Sequence, residues 1–149
     1  MMRYRAARRV GHGASFLQRI VSDVERYPDF VPGCREVCML PPVGTARRAH
    51  VVYGISRVLS FAYDCRIYEE PGRILVEGER GVFRHLHTLW RFEPAGPEAC
   101  DVSFVFEADF ASSALTWAGT RLLEGAAARM LEAFRRRADH LAALSPAEC

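Results

Sequence analysis

The apolar positions of this chain change period in an orderly way. Over residues 2–10, Tyr4, Ala6, Arg8 and Val10 share one face, which suits an opening strand. Between 14 and 26 the spacing lengthens. Phe16, Leu17, Ile20, Val21 and Val24 fall at helical intervals behind a Gly13 or Ser15 cap, predicting an amphipathic helix. From 34 to 110 the period returns to two, punctuated by Pro41-Pro42-Val43-Gly44, Pro71-Gly72 and Pro94-Ala95-Gly96-Pro97. These breaks separate strands at 35–40, 47–55, 57–68, 73–79, 85–93 and 100–110, with 54–57 readable as a turn or a bulge.

Three of the strands are plainly one-sided. Val102, Phe104, Phe106, Ala108 and Phe110 alternate with Asp101, Ser103, Glu107 and Asp109. Leu59, Phe61, Tyr63, Cys65 and Ile67 form a second apolar face, and Leu86, Thr88, Trp90 and Phe92 a third. Such alternation predicts an antiparallel sheet with one face covered and the other wet. Residues 113–143 then predict one long helix. Leu115, Gly119, Leu122, Ala126, Met130, Phe134 and Leu141 approximate its apolar stripe, with Trp117, Leu123 and Leu131 beside it. Arg121, Arg129, Arg135, Arg136 and Arg137 mark its solvated side. At 1.5 Å per residue it would run about 45 Å, enough to cross the sheet.

No repeat or linker interrupts the pattern, so residues 1–149 read as one α+β domain. Its layout is a curved antiparallel sheet of about six to seven strands gripping a long C-terminal helix. The gap between such layers is the natural place for an apolar ligand.

One connection departs from its surroundings. Residues 21–34 read Val-Ser-Asp-Val-Glu-Arg-Tyr-Pro-Asp-Phe-Val-Pro-Gly-Cys, so Tyr27, Phe30 and Val31 stand among Pro28, Pro32 and Gly33 where a helix ends. Prolines stop a helix and stiffen the backbone beyond it. Two readings stay open from the residues alone: aromatics plugging one end of the core, or the rigid lip of a pocket.

Composition narrows the class. Half of the 149 residues are hydrophobic, which is enough for a folded core. All 20 basic residues are Arg and the net charge is only +2, which argues against a dedicated DNA-binding protein. The 5 cysteines (Cys34, Cys38, Cys65, Cys100 and Cys149) are odd in number and scattered, and no secretory leader is read. Free thiols in a cytoplasmic setting are therefore expected. No apolar run approaches the roughly 20 residues that span a bilayer. Residues 1–9, basic and lacking acids, are too short for a transit peptide and read as a strand.

Chemical constellations are thin. His85 and His87 share one strand face, but no third ligand in a recognised pattern accompanies them, so no metal site is expected. Cys34 and Cys38 lack zinc or redox spacing. Asp64, Glu69, Glu70, Glu77, Glu79, Glu107 and Asp109 fall largely on the wet face, away from any cleft where acid–base work would need them. Nucleophile-elbow, phosphate-loop and dinucleotide motifs are absent. A binding protein without catalytic residues is expected, not an enzyme.

Residues 21–34 resemble the signature of the coenzyme Q-binding, START-like family, also described as polyketide cyclase/dehydrase-like, which includes bacterial ribosome-association toxins. Residues 81–94, Gly-Val-Phe-Arg-His-Leu-His-Thr-Leu-Trp-Arg-Phe-Glu-Pro, are similar to the family's Gly-Pro-Phe, Leu and Trp-x-Phe-x-Pro block. Residues 100–110 with 113–115, and residues 130–138, agree as well. The likeness covers about 8–141. Val82 stands where the family has proline, and His12-Gly13 where a Tyr-Ser pair is common.

The resemblance implies a helix-grip fold with a deep hydrophobic cavity. It implies ubiquinone or a related isoprenoid lipid as the bound ligand, no other cofactor, and a chaperone or carrier role in respiratory electron transport. The location implied is cytoplasmic, peripheral to the inner membrane face. Ligand contacts are then expected from Tyr27, Phe30, Pro32, Tyr63, Phe83 and Trp90 around ring and tail. Phe104, Phe106 and Phe110 would form the floor, and Leu115, Leu122, Ala126 and Met130 the helical wall. With this placement residues 21–34 become the rim. The same family offers two alternatives: a toxin-like protein that binds the large ribosomal subunit, and a polyketide cyclase or dehydratase. The latter needs a polar cavity residue, for which Tyr63 and Thr88 are the main choices.

Overall fold

The computed structural model describes residues 2–54, 57–58, 60–114, 116–117, 123 and 125–144. Seven strands, β1 (Met2–Val10), β2 (Cys34–Val43), β3 (Ala46–Gly54), β4 (Ser60–Glu70), β5 (Arg73–Gly81), β6 (Phe83–Pro94) and β7 (Cys100–Phe110), form one antiparallel sheet. Their order is β1-β7-β6-β5-β4-β3-β2, so consecutive strands are neighbours except that β1 pairs with β7. The predicted alternation sets the register. Val76 lies opposite both Ile67 and Thr88, Thr88 opposite Phe106, and Trp90 opposite Phe104, which puts every predicted apolar face on one side.

The sheet curves because its ladders are irregular. Register shifts fall between Cys34 and Glu36, Leu40 and Val43, Asp64 and Cys65, and Phe83 and His85. Each such bulge bends its strand and increases the local twist. Gly81 takes φ +121°, and a Cβ there would collide with the backbone of Ala62 and Tyr63. Glycine is therefore required where β5 turns into β6.

Three expectations need correcting. Pro41 and Pro42 do not make a turn but end β2, and Gly44 at φ +60° turns the chain instead. A missing N–H is tolerated there because β2 is an edge strand. The first helix also stops early: α1 spans Ala14–Ser22, and Asp23 leaves helical geometry at ψ 68°. A 3-10 turn (Val24–Arg26) and one further helical turn, α2 (Tyr27–Phe30), come next. Pro28 sits in that first turn, where its lost donor is an orphan anyway. Residues 27–30 are thus helical and not an irregular connection.

The third correction concerns the long helix. Ser113, Ala114, Thr116 and Trp117 are helical, but Gly125 at φ +74° stands in a turn, and the described C-terminal helix α3 begins after it (Ala126–Leu144). Its 19 residues extend about 28 Å, not 45 Å. Positive φ at Gly125 is incompatible with continuing one helix through it.

The core lies between α3, α1 and the sheet. Leu131, Phe134 and Ala138 of α3 are buried with Leu17 and Val21 of α1. Phe134 is the hub: its ring lies 5.0 Å from Trp90, 5.2 Å from Tyr27 and 5.1 Å from Phe30. Edge-on aromatic contacts of this kind add to the area they bury. Outside the core, Arg8 of β1 reaches Glu132 of α3 at 2.5 Å, fixing the helix across the sheet edge.

Candidate functional site: an apolar cavity under the helix

Packing is incomplete toward the β3–β4 end of the sheet. There the inward side chains of β3, β4, β6 and β7 face the start of α3 across a cavity of about 330 Å³. Ala49, Val51 and Tyr53 come from β3, and Phe61, Tyr63, Cys65 and Ile67 from β4. Thr88 and Trp90 of β6, Phe104 and Phe106 of β7, and Ala126, Ala127 and Met130 of α3 complete the walls. Small residues leave the room: Ala49 on the sheet is fully buried, opposite a helix start built from alanines. Pro32, Gly33 and Arg129 line the cavity yet are exposed, so they form its rim.

Aromatic rings organise the outer half. Tyr53 and Tyr63 stack nearly parallel at 6.2 Å, with Phe61 stacked on both at 5.9 and 6.4 Å. Phe83 meets Tyr63 edge-on at 5.3 Å and stacks on Phe110 at 4.7 Å.

Apart from Arg129 on the rim, the polar side chains at and beside the cavity among the described residues are neutral hydroxyls and thiols. Tyr27 donates its hydroxyl to the Val21 carbonyl, and the Tyr53 hydroxyl lies beside the Cys34 thiol. Burial raises the phenols of Tyr27, Tyr53 and Tyr63, and lifts the thiols of Cys34 to about 11 and Cys65 to about 12. All five stay protonated at neutral pH. Tyr63 and Thr88 hydroxyls find no hydrogen-bond partner among the described residues. No Asp, Glu or His is among the described lining residues.

The carboxylates are elsewhere. Glu79 lies between Arg48 at 2.8 Å and Arg66 at 2.9 Å on the outer sheet face, and Asp64 lies 2.6 Å from His50. His85 and His87 stack on that face too, with His87 Nδ1 3.7 Å from Glu107. No three metal-ligating side chains converge among the described residues.

Of the residues expected to contact ligand, Tyr27, Pro32, Tyr63, Phe83, Trp90, Phe104, Phe106, Ala126 and Met130 line the cavity. Phe30 does not. Helical geometry in α2 turns it to a separate groove with Phe16 and Ile20, where Arg137 lies 5.1 Å above its ring. Phe110 does not line it either; it is buried against Phe61 and Phe83. Leu115 and Leu122, like Leu59, Gly119 and Arg121, lie outside the described residues. Sequence reasoning missed Ala49, Val51, Tyr53, Ala127 and Arg129. The alternation of Ala49, Val51 and Tyr53 was the available signal for the β3 wall.

A curved antiparallel sheet closed by a C-terminal helix over an apolar void defines a START-like, helix-grip protein. Residues 10–135 match the family described as polyketide cyclase / dehydrase and lipid transport, and the chain belongs to it. It is 32% identical over 123 residues to the ribosome association toxin RatA of Pseudomonas aeruginosa, covering 82% of this chain and 85% of that one. It is 29% identical over 115 residues to a mitochondrial coenzyme Q-binding protein, coq10, of Schizosaccharomyces pombe (73% and 70% covered). In fold it matches the crystal structure of the Zhui aromatase/cyclase from a Streptomyces species with a TM-score of 0.81. That match covers 93% of both chains at 14% identity.

Proposed function

We propose that the protein binds an isoprenoid quinone in the cavity and acts as its carrier or chaperone, without catalysing a reaction. The carrying observation is the 330 Å³ cavity walled by stacked aromatics and aliphatic side chains, with no carboxylate or histidine among its described lining residues. An apolar, water-insoluble ligand gains about 25 cal/mol for each Å² it buries there. The likeness to a coenzyme Q-binding protein supports the choice of ligand. That no acid or histidine is among the described lining residues supports binding over the cyclase alternative, which needs a proton donor or acceptor beside its substrate. In this reading the quinone is the ligand, no further cofactor is used, and the protein works in the cytoplasm at the inner membrane face. No described helix is long and apolar enough to cross a membrane.

Organic extraction of the purified protein and mass spectrometry of the extract test the proposal. Co-purifying quinone is expected, and added ubiquinone should quench the fluorescence of Trp90. A lipid-free extract combined with no quenching would sink it. Association with the large ribosomal subunit is the second reading, favoured by the greater identity to RatA. Sucrose-gradient profiles decide it, since an unchanged population of joined ribosomes at high protein concentration counts against that role.

A further inference from the structure

We propose that the cavity encloses only the carbonyl-bearing ring of its ligand, held through the hydroxyls of Tyr63 and Thr88, and that the isoprenoid tail leaves across the rim at Pro32, Gly33 and Arg129. This rests on the quinone reading and goes further by assigning which part of the ligand is inside and what recognises it.

Volume sets the first limit. At about 330 Å³ the cavity is at the small end of the range for ligand pockets, roughly 300–1,000 Å³. A six-membered ring with its oxygens and small substituents suits that size. Each isoprene unit adds five carbons, so a tail of many units exceeds it.

Hydrogen bonding selects the same part of the ligand. The Tyr27 hydroxyl is engaged by the Val21 carbonyl, and that of Tyr53 lies beside the Cys34 thiol. Tyr63 and Thr88 are the cavity hydroxyls left without a partner among the described residues. Both residues line the cavity, so a ligand oxygen that accepts from either hydroxyl gains a hydrogen bond in apolar surroundings, where such a bond is stronger than in water. The two donors stand at different depths. Thr88 shares a register row with Ile67, Val76 and Phe106, and is 8% exposed. Tyr63 is on β4, four residues before Ile67 and within the ring stack of the outer half. A ring bearing oxygens on opposite sides can meet donors at two levels, whereas a hydrocarbon tail satisfies neither. With Arg129 on the rim and no carboxylate among the described lining residues, the site also disfavours a cationic ligand.

Binding of three probes to the full chain, and to Tyr63→Phe and Thr88→Val, tests this. The probes are a tail-less dimethoxy-methyl-benzoquinone, a long-tailed ubiquinone and squalene as a tail without a ring. The two quinones should bind the parent within about tenfold of one another, and squalene at least a hundredfold more weakly. Each substitution should weaken both quinones by about five- to tenfold, and Thr88→Ser should restore affinity. Tail-dominated binding, in which squalene rivals the long-tailed quinone and the tail-less ring fails, overturns the ring-inside assignment while leaving a lipid-carrier role standing. Unchanged quinone affinity in folded Tyr63→Phe and Thr88→Val overturns the hydroxyl contacts. Failure of every probe on the parent protein overturns the carrier reading itself.

Discussion

On the outer face of the sheet, Glu79 sits between two arginines, Asp64 beside His50, and Asp101 within 2.8 Å of Arg9. On the inner face, Tyr63 and Thr88 turn their hydroxyls to a void. On β4 the two kinds stand one residue apart, Tyr63 facing in and Asp64 facing out, because side chains alternate across a pleated sheet. Outside, these charged groups are paired with each other and water screens the exposed ones, while His87 Nδ1 is left buried without a hydrogen-bond partner among the described residues. Inside, the described hydroxyls are few and neutral, and those of Tyr63 and Thr88 are unanswered. Charged groups facing each other across strands already have partners, whereas unanswered hydroxyls in an apolar cavity are available to a guest. The inner face is itself divided: one half is packed solid around Phe134 and the other is left open under the start of α3.

The largest expected effect separates those two halves. Phe134 is 1% exposed and touches the rings of Trp90, Tyr27 and Phe30. Phe134→Ala should cost about 3–5 kcal/mol of stability, read as a lower denaturant midpoint at unchanged slope. Phe106→Ala enlarges a space that already exists and should cost less than half as much. Equal losses at the two positions would mean that the cavity wall is packed as tightly as the core.

Filling the void should do the reverse. Ala126→Phe projects a ring into the cavity from the first residue of α3. Quinone affinity should fall by tenfold or more while the melting temperature changes by only a few degrees. A collapse in melting temperature would show that the space is too small to accept a ring, and would weaken the case for a ligand there.

Much of this division is legible in the sequence. Strict alternation in 100–110 and 86–92 assigns the two faces, and the register then aligns Trp90 with Phe104. What period two cannot show is where the inner face is filled and where it is empty. That depends on the helix above it, which the apolar stripe makes too long. Gly125 lies inside an otherwise helical apolar pattern, where a glycine costs only about 1 kcal/mol and looks tolerable until its positive φ is known. The same limit applies to residues 21–34. Their aromatics are evident, but Tyr27 faces the cavity and Phe30 a separate groove because α2 is one turn of helix. Proline after Tyr27 argues against a helix on its face, although the first turn is where proline fits.

The smallest expected effect tests the paired side. Glu132 on α3 is held at about 2, chiefly by its hydrogen bond to Arg135 and then by Arg8, against an ordinary value of 4.5. A carboxyl lowered in the folded state binds its proton more readily when unfolded. Its contribution is therefore complete above pH 4.5 and is lost as the pH falls toward 2. Asp101 and Glu79 are lowered by arginine partners as well and titrate on the same limb, so the parent alone does not isolate Glu132. The difference between parent and Glu132→Gln does. At pH 6 the variant should be slightly less stable, and only slightly, because the pair is solvent-accessible. The denaturation midpoints should converge between pH 4.5 and 2, while quinone affinity at pH 6 stays unchanged because Glu132 does not line the cavity. A constant gap across that range would mean that Glu132 acts through packing and not through its charge. A changed quinone affinity would mean that the two sides of the molecule are coupled and that the paired face does not act independently of the cavity.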